Sequence, residues 1–130
     1  MASTRLADVT IVVVEDHDDA RRYLGVFLDR LGANVVVAKD GFEGLEAIKS
    51  CQPHMVLSDI AMPGMDGFEL LRKIRALGAA PADKVPVVAM SAFFTDADRT
   101  HVLDAGFKAY LPKPFSPERL VETILTVLKN

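Results

Sequence analysis

Four of the five apolar runs in this chain stop at a residue with chemistry of its own. Thr10-Ile-Val-Val-Val14 gives way to Glu15 and Asp16, and Met55-Val-Leu-Ser58 gives way to Asp59. Val85-Pro-Val-Val-Ala-Met90 ends at Ser91, and Lys108-Ala-Tyr-Leu111 is followed by Lys113 and Pro114. Only Val35-Val-Val-Ala38 runs into no obvious functional group, just Lys39 and Asp40. The four apolar residues in a row of the first run, mostly β-branched, suit a strand buried on both faces.

Between the runs lie segments with helical spacing. The first carries Ala20, Tyr23, Leu24, Phe27, Leu28 and Leu31 on one stripe, with Asp18 or Asp19 as its cap and Gly32 at its end. Asp40 and Glu43 form a capping-box pattern for a second helix with Phe42, Leu45 and Ile48 inward. Asp66-Gly67 opens a third, marked by Phe68, Leu71 and Ile74. Residues 78–84 read as a loop, and Asp96 to Ala105 as a shorter helix closed by Gly106. Ser116-Pro117 starts the last helix, which buries Leu120, Ile124, Val127 and Leu128.

Five strands alternating with five helices imply an α/β fold, a parallel sheet covered on both faces. The 130 residues make one domain, with a core over about 9–129 and an N-terminal tail over 1–8. A chain of this size holds a core without disulfides, and its single Cys51 can form none within the chain. The net charge of −3 argues against nucleic acid as a partner. The absence of a long apolar run argues against a membrane span or a signal peptide, so the expected home is the cytoplasm. The length leaves no room for a separate output domain, so the expectation is that one small module does all the work.

Ligands in open parallel sheets bind beyond the carboxyl ends of the strands. That rule puts Glu15, Asp16, Asp59, Ser91 and Lys113 on one rim. Three carboxylates so close repel one another, and a hard divalent cation relieves the repulsion. Few protein ligands plus open positions suit Mg²⁺. Lys113 adds a positive charge that a metal site does not need, and Ser91 adds a hydrogen-bond donor. Together they form a cradle for a phosphoryl group, and a carboxylate is a competent nucleophile toward phosphorus.

These pieces resemble the receiver domain of two-component response regulators over essentially the whole chain. The resemblance is carried by Val14-Glu15-Asp16, Asp59-Ile-Ala-Met-Pro-Gly-Met-Asp-Gly67, Met90-Ser91-Ala92 and Tyr110-Leu-Pro-Lys-Pro-Phe115, in that order. It implies a flavodoxin-like (βα)5 sandwich with strand order 2-1-3-4-5. It implies that Asp59 accepts a phosphoryl group from a phosphohistidine on a histidine kinase or phosphotransfer protein. Glu15, Asp16, Asp59 and the backbone carbonyl of Ala61 would hold Mg²⁺ (or Mn²⁺), directly or through water. Ser91 and Lys113 would stabilise the phosphoryl group, and Ser91 and Tyr110 would act as switch residues. The peptide bond before Pro114 would be cis. The output would pass to a protein target or a second copy through the fourth helix, fifth strand and last helix. Such a module promotes its own phosphorylation and dephosphorylation and is not a conventional turnover enzyme.

Competing readings of single motifs are weaker. Asp16-His-Asp18 also fits the nucleophile motif of haloacid-dehalogenase-like phosphatases, but no late acidic pair follows Lys113 and a cap domain has no room. A receiver-like interaction module that never needs phosphate is a third class. His17, His54 and His101 read as surface or loop residues rather than ligands, and Met55, Met62, Met65 and Met90 as packing. Tyr110 could be a half-buried strand residue with a wet hydroxyl, but its place three residues before Lys113 favours the switch role. Neither Ala61 nor Phe93, two residues past Asp59 and Ser91, can position a hydrolytic water by hydrogen bonding. Phospho-Asp59 is therefore expected to decay slowly; a half-life of a few seconds, measured by loss of label from the isolated phosphoprotein, contradicts this reading.

Overall fold

A computed structural model describes residues 5–92 and 95–129. In chain order it contains β1 (Thr10–Val14), α1 (Asp18–Arg30), β2 (Asn34–Ala38), α2 (Gly41–Cys51), β3 (Met55–Asp59) and α3 (Gly67–Arg75). A short 3-10 turn over Ala82–Lys84 follows, and then β4 (Val87–Ser91), α4 (Asp96–Ala105), β5 (Ala109–Pro112) and α5 (Pro117–Lys129). The five strands are parallel, in the order β2-β1-β3-β4-β5.

Side chains alternate between the two faces of a strand, so each central strand feeds two cores. Ile11 and Val13 of β1 join Leu57, Met90 and Leu111 under α1 and α5, where Leu24, Leu28, Leu120 and Ile124 meet them. Val12 and Val14 join Val56, Val87 and Ala89 under α2, α3 and α4, against Ile48, Leu70, Leu71 and Ile74. This double coverage explains why β1, β3 and β4 read as continuous apolar runs. Truncating one of the fully buried large side chains, such as Leu57 or Ile74, carries a cost of about 2–5 kcal/mol.

Several expectations shift. Leu6 is fully buried and its N–H donates to Leu31 O at 2.9 Å, so the chain is already tied to the core before residue 9. Tyr23 and Phe42 do not point inward; they are 48% and 60% exposed. Tyr23 sits at the margin of the α1 stripe and stacks on Phe27, with ring centroids 5.8 Å apart. In α2 the inward positions are Gly41, Gly44 and Ile48, because that helix lies almost against β1. A Cβ on Gly44 would stand 2.7 Å from Val14 Cγ2. Phe42, one position away from Gly41, is thereby turned about 100° outward. Leu128 is only partly buried, and Val121 takes the place beside Leu120 and Ile124.

The caps also differ in part. His17, not Asp18 or Asp19, is the N-cap of α1, without a side-chain cap. Asp18 and Asp19 fall in the first turn, where their charge still favours the helix dipole. Asp40 and Asp66 cap α2 and α3 by accepting from the Glu43 and Glu69 N–H groups, each at 2.8 Å. Thr95 and Asp98 make a full capping box on α4. Ser116 Oγ accepts from Arg119 N–H at 3.1 Å at the start of α5.

Gly67 fits the same close-packing rule at the edge of the rim. A Cβ there would stand 2.7 Å from Asp59 O and 2.9 Å from Ile60 Cα, both backbone atoms that cannot swing aside. Gly67→Ala is expected to cost about 1–3 kcal/mol in urea unfolding, since overpacking against backbone must be relieved by moving the β3–α3 loop. A variant as stable as the parent contradicts this account of the loop.

Candidate functional site

The parallel register brings the carboxyl ends of β1, β3, β4 and β5 to one edge. Val14 lies opposite Ser58, Asp59 opposite Met90, and Ser91 opposite Pro112. Lys113 N–H donates to Ser91 O at 2.8 Å, so the lysine leaves β5 already anchored to β4. The Lys113–Pro114 peptide is cis, as the resemblance implied; the Ala80–Pro81 peptide is cis as well.

Glu15, Asp59 and Ser91 are all buried. Lys113 Nζ reaches Glu15 Oε1 at 2.6 Å and Asp59 Oδ2 at 3.4 Å. One ammonium is thus shared by two carboxylates. The other oxygen of Glu15, Oε2, accepts from the His17 backbone N–H at 3.1 Å and lies 3.2 Å from His17 Nδ1. Its backbone carbonyl accepts from Arg21 Nη1 at 3.0 Å. Glu15 is therefore a hub that orients Lys113, His17 and the start of α1.

The titration directions follow from these contacts. Burial works to raise the Glu15 carboxyl, but the Lys113 hydrogen bond, the His17 N–H and the Lys113 charge outweigh it and hold the group below its usual range. Burial works to lower Lys113, and its bonds and attractions to Glu15 and Asp59 outweigh that, raising it. Asp59 goes the other way. Burial first, opposed by Lys113 and reinforced by Glu15, pushes its carboxyl up to about 6. His17 is raised by its hydrogen bond to Glu15 and by the charge of Asp16.

Ligand atoms of Glu15, Asp16, His17 and Asp59 lie within 4.8 Å of one another. Asp16 Oδ1 is buried with no hydrogen-bond partner. An unsatisfied buried carboxylate oxygen among other anionic oxygens fits a hard divalent cation, which would supply the missing partner. Ala61, on the loop after β3, is exposed, with its carbonyl close behind Asp59 in the chain. Phe93 lies outside the described residues.

Tyr110 sits on β5 and is already buried rather than half-exposed. With Ser91, Ile60, Phe68, His101 and Val102 it lines a cavity of about 190 Å³ beside the rim. The residue that sequence reasoning set aside is His17. Its nearness to the acid pair in the chain was a signal, but a lone histidine in a loop is usually solvated.

A family model for the response regulator receiver domain matches residues 11–125. An uncharacterised 14.6 kDa protein of Leptolyngbya boryana is 38% identical over 119 residues, covering 92% of this chain and 89% of that protein. The response regulator MprA of Mycolicibacterium vanbaalenii is 37% identical over 122 residues, covering 94% of this chain but only 51% of its own length. Among solved structures, chemotaxis protein CheY4 of Vibrio cholerae superposes with a TM-score of 0.85 at 27% identity, covering 93% of this chain and 99% of that one. The receiver domain of sensor histidine kinase PA1611 of Pseudomonas aeruginosa, described with a magnesium ion coordinated in its active site cleft, gives 0.84 at 28% identity. It covers 95% of this chain and 100% of that one.

The raised Asp59 carboxyl has a consequence for stability. Its value is 3.8 in the reference state and about 6 when folded, so the folded state holds the proton more tightly between those limits. Without divalent ions, stability should fall as pH rises through that window and stay lowered above it. Asp59→Asn should therefore stabilise the metal-free protein at pH 7 by about 1–3 kcal/mol, with the gain fading below about pH 4. Thermal melts of both proteins in chelator across pH 4–7.5 read this; a destabilised asparagine variant at pH 7 contradicts it.

Proposed function

This chain belongs to the response regulator receiver family, and we propose that it accepts a phosphoryl group on Asp59 and passes the event to a protein-binding face. The observation that carries the reading is the shared lysine. Lys113 holds the buried Asp59 carboxylate at 3.4 Å while Glu15 anchors the ammonium from behind at 2.6 Å. A nucleophilic carboxylate beside a fixed ammonium is arranged for attack on an anion, because the ammonium offsets repulsion between them.

Asp59 attacks phosphorus, the bond from phosphorus to the donor nitrogen breaks, and that nitrogen's electron pair leaves with the imidazole. Asp16, Asp59 and the Ala61 carbonyl would hold Mg²⁺ (or Mn²⁺), with Glu15 acting through water because both its oxygens are engaged. The ion supplies charge neutralisation for the phosphoryl oxygens. Ser91 and Lys113 would bind those oxygens. The product carries roughly −1.5 to −2 of charge in place of one carboxylate's −1. That change draws Lys113 and Ser91 together and biases the loop after Ser91 and α4. Tyr110, already buried, would adjust within the cavity it lines rather than swing in from the surface.

Receiver domains work with histidine kinases and downstream effectors. The donor here would be a histidine kinase or phosphotransfer protein, in the cytoplasm. The output face would be α4, β5 and α5, taken by a target or a second copy. A groove of about 340 Å³ runs along that face, with Arg99, Lys108 and Arg119 on it and Tyr110 in its wall. No helix among the described residues is long and apolar enough to cross a membrane.

Incubation with acetyl phosphate and Mg²⁺ should give one phosphoryl group per chain, lost in chelator and in Asp59→Asn. No incorporation from any phosphodonor would instead favour an interaction module that works without phosphate. Repeated turnover of a generic phosphate ester, lost in Asp16→Asn, would favour a phosphatase.

A further inference from the structure

We propose that His17 is itself a ligand of the divalent ion, making this a mixed nitrogen–oxygen centre that holds late first-row ions more tightly than its carboxylates alone would. The inference rests on the reading of the acid rim as a cation site. Its distinct content is the identity of the ligand beside Asp16.

Glu15 is poorly free to ligate. Oε1 is taken by Lys113 at 2.6 Å, and Oε2 accepts the His17 backbone N–H at 3.1 Å. The atom that lacks a partner is Asp16 Oδ1, which is buried and without a hydrogen bond. Beside it stands the His17 ring, with Nδ1 at 3.4 Å. A ring nitrogen of His17 also lies within 4.8 Å of ligand oxygens on Glu15, Asp16 and Asp59 together.

His17 is the N-cap of α1, yet its side chain makes no capping bond. Its side chain is 74% exposed, so it can turn toward an ion without breaking core packing. Nδ1 is the ring nitrogen that faces the acid cluster, 3.2 Å from Glu15 Oε2 and 3.4 Å from Asp16 Oδ1, so Nδ1 is the ligand atom and Nε2 keeps its N–H. Glu15 is then a positioning residue that holds the Lys113 ammonium through Oε1 and the His17 backbone N–H through Oε2. Imidazole adds little for Mg²⁺, which prefers oxygen, and adds much for Co²⁺ and Ni²⁺. As the metal–nitrogen bond forms, any proton on that nitrogen leaves to solvent.

The test is calorimetric titration of the full chain with Mg²⁺ alone and with Ni²⁺ alone. His17→Ala should weaken Ni²⁺ by roughly 10- to 100-fold and Mg²⁺ by less than about threefold. His54→Ala and His101→Ala should leave both unchanged, since His54 precedes β3 at the opposite end of the sheet, where its Nδ1 accepts from Thr10 N–H, and His101 packs at a tilt against Phe68. Proton NMR of the Co²⁺ form should show a strongly shifted imidazole N–H resonance that disappears in His17→Ala. If His17→Ala keeps the parent Ni²⁺-to-Mg²⁺ ratio, the inference is overturned while the cation site stands. If Asp16→Asn and Asp59→Asn leave both metals unaffected, or the parent binds neither, the cation site itself fails and the inference with it.

Discussion

The ammonium of Lys113 is what allows two buried carboxylates to share the end of this sheet. Glu15 and Asp59 are nearly or wholly withdrawn from water, and each buried negative charge costs several kcal/mol unless it is paired. Lys113 sits between the two, bonded tightly to one and more loosely to the other. The asymmetry divides their roles. Glu15 is bonded through both oxygens and its carboxyl is held below its usual range, whereas Asp59 keeps its burial penalty and is pushed up. A site built this way carries an excess of negative charge that a cation would offset.

The fold exists to hold that arrangement. Lys113 and Glu15 are 98 positions apart in sequence. They meet because β1 and β5 both run parallel to β3 and β4 and end at the same edge. The two apolar layers fix the strands from either face. Gly44 and Gly67 let α2 and the β3–α3 loop press against β1 and Asp59, where a methyl group would collide. Close packing at those two glycines is therefore part of how Asp16 and Asp59 are positioned.

The sheet and the rim were readable from the sequence because both follow strong local rules. Doubly buried strands leave unbroken apolar runs, and the residue after each run must lie at the carboxyl edge. Asp59, Ser91 and Lys113 were found that way, without knowing any distance. What was hidden depends on contacts between distant segments. Phe42 looked inward because it is large and apolar, but the first turns of α2 approach so closely that their inward positions are the glycines Gly41 and Gly44. Leu6 looked like tail because nothing local shows that Leu31 waits for its N–H. His17 looked like a solvated loop residue because sequence does not reveal that Glu15 Oε2 turns toward it. Tyr110 looked half-exposed or mobile, but it is buried in the same apolar cluster as Val102 of α4 and Leu71 of α3.

The central claim is that Asp59, not Asp16 or any other carboxylate on the rim, becomes the acyl phosphate. Borohydride reduces an acyl phosphate to the alcohol, so an aspartyl-phosphate is recorded as homoserine at its own position. Treating the acetyl phosphate-labelled protein with borohydride and sequencing its peptides by mass spectrometry reads that position directly. The account predicts homoserine at residue 59 and at no other aspartate. Homoserine at residue 16, or unmodified Asp59 in a protein that has taken up phosphate, would contradict it.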